Sequence, residues 1–235
     1  IPSAIGGTID LVNNGQMNFL TVIAILVIIM ATVGAIIYVE LGERRVPVSY
    51  SRKVMIENQK KRVMNYIPIK VNLSGVIPAI FASAILMFPS TVLQGSQNKY
   101  LMMIADYLNP SSYTFNLFMF LFVLFFAFFY ASITFNAKDI SENLKKQGGF
   151  IPGVRPGAST AEFLNEVAGR LTFWGAIYMG LISTLPWLIV KAMGVPFYFG
   201  GVAVLIVVQV AIDTMRKIEA QQYMNKYQTL SAVGL

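Results

Sequence analysis

Runs of about 20 residues with almost no charge recur along this chain, and that is the length a helix needs to cross a hydrocarbon core of about 30 Å. Residues 19–38 form the cleanest run, 115–135 the most aromatic, and 171–190 a third. The charge-free interval 192–212 holds a fourth, expected over 197–213 because Pro196 suits a helix start. Residues 75–93 are the fifth and least regular, since Pro78 near the start and Pro89 near the end each remove a backbone donor and are expected to bend the helix. The fold class expected is an all-α integral membrane protein with five transmembrane helices. A content of 56% hydrophobic and 12% charged residues agrees, because a water-exposed surface needs more polar cover.

The charges that remain are unevenly placed. All but two of the 18 Lys and Arg residues, Lys99 and Lys191, fall in every second hydrophilic segment between the apolar runs. Lys and Arg close to span ends are retained on the cytoplasmic side. Residues 39–74, 136–170 and 214–235 are therefore expected inside, with 1–18, 94–114 and the short connection at Lys191 outside. This puts the N-terminus of the chain outside and the C-terminus in the cytoplasm. The chain starts Ile1-Pro2 with no signal-type segment ahead of the first span, so a missing upstream part is expected. A complete protein with a processed, external start is the alternative.

Absent residue types narrow the chemistry. With no Cys and no His, the chain offers no thiol nucleophile, no imidazole base and none of the commonest zinc or haem ligand sets. No enzyme activity, cofactor or metal site is expected. Glu40 and Asp213 stand at span ends, and no span has an ionisable residue near its middle, where proton relays and ion-coupled transporters place one. The polar residues within the spans, Thr32, Ser83, Asn116, Ser132, Thr184 and Gln209, read as helix-to-helix packing and hydrogen-bonding positions, and Gly34, Gly175 and Gly180 as close approaches.

The loops are more informative. Arg45-Val-Pro-Val-Ser-Tyr-Ser51 and Tyr66-Ile-Pro-Ile-Lys-Val71 alternate apolar and other residues around a Pro, as edge strands of a small hairpin-like projection do. With the polar stretch 52–65 between them, residues 39–70 hold eight basic against three acidic residues. Topology alone accounts for individual lysines; an excess this large also suits a surface for an acidic partner, nucleic acid or anionic lipid. In the next polar segment, residues 136–146 read as a short helix stopped by Gly148-Gly149, and Ser159-Thr-Ala-Glu162 has the capping-box spacing of another helix running to Arg170. Arg155 lies at the tip of the turn-rich loop between them. There it can grip carboxylate or phosphate with two parallel hydrogen bonds, or bind its own loop carbonyls.

Three motifs carry a resemblance: Val71-Asn-Leu-Ser-Gly-Val-Ile-Pro-Ala-Ile-Phe-Ala-Ser83, Asn143-Leu-Lys-Lys-Gln-Gly-Gly-Phe-Ile-Pro-Gly-Val-Arg-Pro-Gly157 and Val195-Pro-Phe-Tyr-Phe-Gly-Gly201. In order and spacing the chain resembles the bacterial SecY family, central subunit of the protein-translocation channel of the inner membrane. The likeness is to spans six to ten of a ten-helix inverted-repeat channel, one half of the whole, and it agrees with the missing upstream part.

The resemblance implies a channel that carries unfolded polypeptide across the membrane and releases apolar segments sideways into lipid. A narrow aliphatic ring would seal around the passing chain, because non-directional apolar contact yields to any sequence. By similarity Ile80 and Ile206, with Leu205 adjacent, would supply ring residues. The 75–93 and 115–135 spans would form one side of the lateral gate, with Ser83 and Phe88 at gate positions. Arg44, Arg45 and Arg155 match arginines that dock the SecA motor ATPase or the ribosome. SecE and SecG subunits, signal-sequence-bearing polypeptides, membrane lipid and the missing N-terminal half are the further partners implied. Half of an inverted-repeat secondary transporter is the alternative; it predicts a midplane polar or charged cluster, which the spans lack.

Overall fold

Apolar helices frame the computed structural model, which describes residues 19–50, 65–95, 98–193 and 201–232. In chain order they are α1 (Phe19–Glu40), β1 (Glu43–Tyr50), β2 (Asn65–Lys70), α2 (Ile77–Gln94), α3 (Lys99–Tyr107), α4 (Tyr113–Thr134), α5 (Ala137–Lys146), β3 (Gly149–Phe150), α6 (Ala158–Met193) and α7 (Gly201–Ala232). Among the described residues, three helical stretches are long and apolar enough to cross a membrane: Leu20–Glu40, Tyr113–Lys146 and Ala158–Ala192. Ile77–Leu93 is a shorter apolar helix. The expected span 197–213 begins outside the described residues, as do the N-terminal segment 1–18 and the basic stretch 52–64.

The chain divides into two compact units. In the unit Val39–Thr184, α2 and α4 pack along each other, with the Phe81 and Phe126 rings 6.0 Å apart. Pro78 does not break α2. It occupies the first turn, where its missing N–H has no intrahelical partner to lose, whereas Pro89 is the proline inside the helix. On α6, Gly180 lets α4 come close: a Cβ there would sit 2.6 Å from Phe120 Cδ2. Gly175 faces the Val71 carbonyl oxygen, which a Cβ would meet at 2.7 Å. Gly34, expected to behave likewise, has none of the described residues within 4 Å of its Cβ position.

One helix, α6, replaces the expected pair of a helix ending at Arg170 and a separate span starting at Leu171; it runs 36 residues without interruption. No Pro lies at that point, and an isolated Gly169 is too weak a breaker to stop a helix that has neighbours. The start also differs: α6 opens at Ala158, so Ser159 falls within the first turn and not at the cap.

The other unit holds α1 through Tyr38, α6 from Leu185, and α7. Helix α1 is apolar on every side, with Ile25 and Ile36 buried and Leu20, Leu26, Val27 and Met30 exposed. The Lys191 ammonium lies 5.3 Å from the centre of the Trp187 ring, and Gln209 Nε2 donates to Asp213 at 3.3 and 3.4 Å along α7.

The hydrogen bonds of the six polar residues, most of them expected at helix-to-helix packing and hydrogen-bonding positions, are local among the described residues. The Thr32, Ser83, Ser132 and Thr184 hydroxyls donate to carbonyls three or four residues earlier, and Asn116 Nδ2 donates to the Pro110 and Ser112 carbonyls just ahead of it. A backbone acceptor one turn back is within reach of a short hydroxyl side chain, so the four hydroxyls are satisfied with no neighbouring helix, whereas Gln209 Oε1 is buried with no hydrogen-bond partner among the described residues.

Candidate functional site

The polar connections fold into one body. Strands β1 and β2 pair antiparallel, Glu43 opposite Lys70 through Val48 opposite Asn65, as the alternating pattern implies. Arg45 faces Pro68 and Pro47 faces Tyr66. These two pairs are two residues apart and so share the same parity in the ladder. Both prolines therefore occupy non-hydrogen-bonded sites, where no N–H is missed.

The sequence did not reveal the third strand. β3 pairs with the far edge of β1, Ser49 opposite Phe150 and Tyr50 opposite Gly149, giving the order β2-β1-β3. Two segments about 100 residues apart in the chain at their pairing points thus share a sheet. Beneath it lies a core of Val46, Val48, Ile69, Ala137, Leu144, Ile151 and Leu164, drawn from the sheet, α5, the Arg155 loop and the start of α6. Gly149 allows the close approach at the seam: a Cβ would sit 2.7 Å from Leu144 Cδ1 and 2.9 Å from Tyr50 Cε1, and one of these side chains would have to shift.

Helix α5 is capped at both ends by charge and hydrogen bonding. Asn136 Oδ1 accepts from the Lys138 and Asp139 amides, Asp139 sits in the first turn, and Lys145 and Lys146 sit in the last, each sign opposing the helix dipole.

Arg155 is held on a fastened loop. The buried Ser141 hydroxyl donates to the Gly157 carbonyl at 2.6 Å, Thr160 Oγ1 donates to the Arg155 carbonyl at 2.9 Å, and the Val154 amide donates to the Ile151 carbonyl at 3.1 Å. Gly153 (φ 86°) and Gly157 (φ 104°) take left-handed conformations that a side chain would strain. Between them the Arg155 side chain is exposed and makes no hydrogen bond or ion pair with the described residues. The alternative in which it binds its own loop is not what the structure adopts.

Arg44 and Arg45 are adjacent in sequence but project from opposite faces of β1. Arg45 Nε donates to Glu43 Oε1 at 2.8 Å, and its guanidinium lies 4.9 Å from the centre of the Tyr66 ring. The Glu43 hydrogen bond is the main cause that raises the Arg45 pKa. Arg44 is exposed and makes no such contact with the described residues.

At the base of this cap, Asn72 Nδ2 donates to Glu40 Oε1 at 2.6 Å and to the Gly75 carbonyl at 3.2 Å, while the Ser74 hydroxyl donates to Asn72 Oδ1 at 3.3 Å. All three side chains are buried. Glu40, noted in the sequence only as a carboxylate at a span end, is a buried acceptor that anchors the segment after β2. An Asn in the motif next to a span-end acid was the available signal.

The residues expected in a channel lie on α2 and α7. Ile80 on α2 is 40% exposed, and its carbonyl accepts from the half-buried Ser83 at 2.8 Å; Phe88, two turns on, is 73% exposed. An apolar recess of about 90 Å³ between α2 and α4 is lined by Ile77, Pro78, Phe81, Phe126, Phe129 and Tyr130. On α7, Leu205 is buried and Ile206 half-buried. The motif starting at Val195 lies outside the described residues up to Gly200.

Long apolar helices beside a basic, well-packed cap define an integral membrane protein of the all-α class. The SecY family model matches residues 1–215, and the chain belongs to the SecY family. It is 66% identical over 235 residues to the protein translocase subunit SecY of Helicobacter pylori strain 26695, covering 100% of this chain and 56% of that protein. Identity to the same subunit of Aquifex aeolicus is 40% (97% of this chain, 53% of the relative), and to that of Escherichia coli K12 it is 37%, with the same coverage. The chain spans about half the length of the curated relatives it matches. A solved structure of a protein conducting channel shares the fold at a TM-score of 0.60 and 17% identity, over 82% of this chain and 48% of that one. A structure from work on the SecY plug domain aligns at 0.61 and 17%, over 91% and 53%.

Proposed function

We propose that this chain forms one half of a protein-conducting channel that translocates unfolded secretory proteins across the bacterial inner membrane and releases membrane proteins into it. The 66% identity to a translocase subunit along the whole chain carries this reading. Five spans cross the bilayer, with the chain's N-terminus external and its C-terminus cytoplasmic, so the cap faces the cytoplasm.

Ile80, Leu205 and Ile206 supply this half's part of an aliphatic ring that closes around a passing polypeptide without recognising it. Ser83 and Phe88, on the α2 side of the α2–α4 pair, line a lateral gate; the apolar exposure of Phe88 suits contact with a signal sequence on its way to lipid. Arg155, presented bare on a rigid loop, and Arg44 on the joined sheet dock acidic or phosphate groups of SecA or the ribosome. Arg45 contributes less, since Glu43 and Tyr66 already engage it. SecE, SecG, signal-sequence-bearing polypeptides and a complementary N-terminal half complete the assembly.

Co-expression with that complementary half, followed by conductance and export measurements in vesicles, tests the reading. Channel activity that needs both halves is expected; correctly assembled halves that neither conduct nor export would overturn it.

A further inference from the structure

Helix α3 lies between α2 and α4, and its nine residues span about 14 Å at 1.5 Å each, too short to cross a bilayer. Three faces divide it. Leu101, Ala105 and Leu108, spaced i, i+4, i+7, make up the inner face, where Ala105 is buried and the other two are half-buried. Tyr100, Met103, Ile104 and Tyr107, at i, i+3, i+4 and i+7, form a second apolar stripe. That stripe is open: the four side chains are 79%, 59%, 49% and 60% exposed. Asp106 stands on the remaining arc with Met102 one turn before it, both exposed.

The stripe is held in place. Asn98 caps the helix by accepting the Tyr100 amide at 3.2 Å. At the other end the Ser112 hydroxyl donates to the Tyr107 carbonyl at 2.8 Å while accepting the Phe115 amide at 3.1 Å, so one side chain joins the end of α3 to the start of α4. An apolar stripe fixed rigidly outward is matched to something that covers it.

We propose that the cover is lipid: α3 is an interfacial helix lying along the external surface of the bilayer. Met103 and Ile104 enter the acyl boundary, the Tyr100 and Tyr107 rings sit at headgroup level, and Asp106 faces water. Two observations favour lipid over a protein partner. The adjoining membrane helices also leave large apolar residues exposed at the ends nearest α3 in the chain, Val92 on α2 and Tyr113 and Leu117 on α4. Tyrosine at both ends of an aliphatic centre also matches the aromatic belt of a membrane interface, where an apolar ring and a polar hydroxyl are both satisfied. The proposal rests on α4 crossing the bilayer, and its external side on the orientation proposed above, and not on polypeptide transport.

Because this chain has no Cys, single nitroxide labels can be placed cleanly. Met103→Cys, Ile104→Cys and Asp106→Cys would be labelled in the full-length protein, any other cysteine removed, in vesicles of phosphatidylcholine and phosphatidylglycerol. The ratio of oxygen to nickel-chelate collision rates is expected to be severalfold higher at 103 and 104 than at 106. Nickel-dominated collisions at all three positions would make α3 an aqueous loop and overturn the proposal. Exclusion of both reagents from 103 and 104 would also overturn it, by showing a protein cover.

Discussion

Leu164 in the cap and Phe125 on α4 are both large apolar side chains, yet Leu164 is fully buried and Phe125 is 62% exposed. The cap is built as a water-soluble domain is: strands and helices converge on a shared core, charges cap α5, and each polar group at the base is paired. On α2 and α4 the rule reverses. Phe88, Leu117, Leu121 and Phe125 are large apolar side chains left exposed, outside any core. Backbone bonds within each helix hold that region together, because a bilayer offers no other partner for the N–H and C=O groups. Side-chain identity should therefore matter most to folding in the cap and least on the outward helix faces.

Substitutions at matched positions can break that contrast. Leu164→Ala should have the largest effect, a loss of about 2–5 kcal/mol from a filled core, read as the urea concentration at which protease cuts the cap. Asn72→Leu should follow, removing the donor to buried Glu40 at a cost of about 1–3 kcal/mol, seen by the same assay. Phe88→Ala should change cap stability by less than about 0.5 kcal/mol, as substitutions away from packed features do. A large loss from Phe88→Ala, or none from Leu164→Ala, would mean that the two regions are not built by different rules.

What could be read in advance follows the same division. Uncharged runs marked the membrane class, since a bilayer imposes length and polarity on local sequence. The β1–β2 hairpin was legible too, because Val46, Val48, Ile67 and Ile69 alternate over a short span. Strand β3 was not. A two-residue strand has no period, and its pairing with Tyr50 and Ser49 is a tertiary event set by Gly149 fitting against Leu144. As a result the two basic segments looked separate when they form one body. The continuity of α6 was hidden by its change from polar to apolar at Arg170, which resembles a boundary although nothing there interrupts the backbone. Helix α3 lay within an expected external loop, although the i, i+3, i+4, i+7 spacing of Tyr100, Met103, Ile104 and Tyr107 was present to be found. At the site, the position of Arg155 at a loop tip was legible, but the buried hydroxyl of Ser141 that fastens its loop was not.

Charge reversal at Arg155 tests the account's central claim most directly, that a rigid cap presents this guanidinium to an acidic or phosphate partner. SecA-driven transport should be measured with Arg155→Glu in the assembled channel, alongside membrane insertion and the protease resistance of the cap. Loss of most motor-driven transport, with insertion and cap resistance unchanged, is the expected result. Transport at the wild-type rate would contradict the docking role.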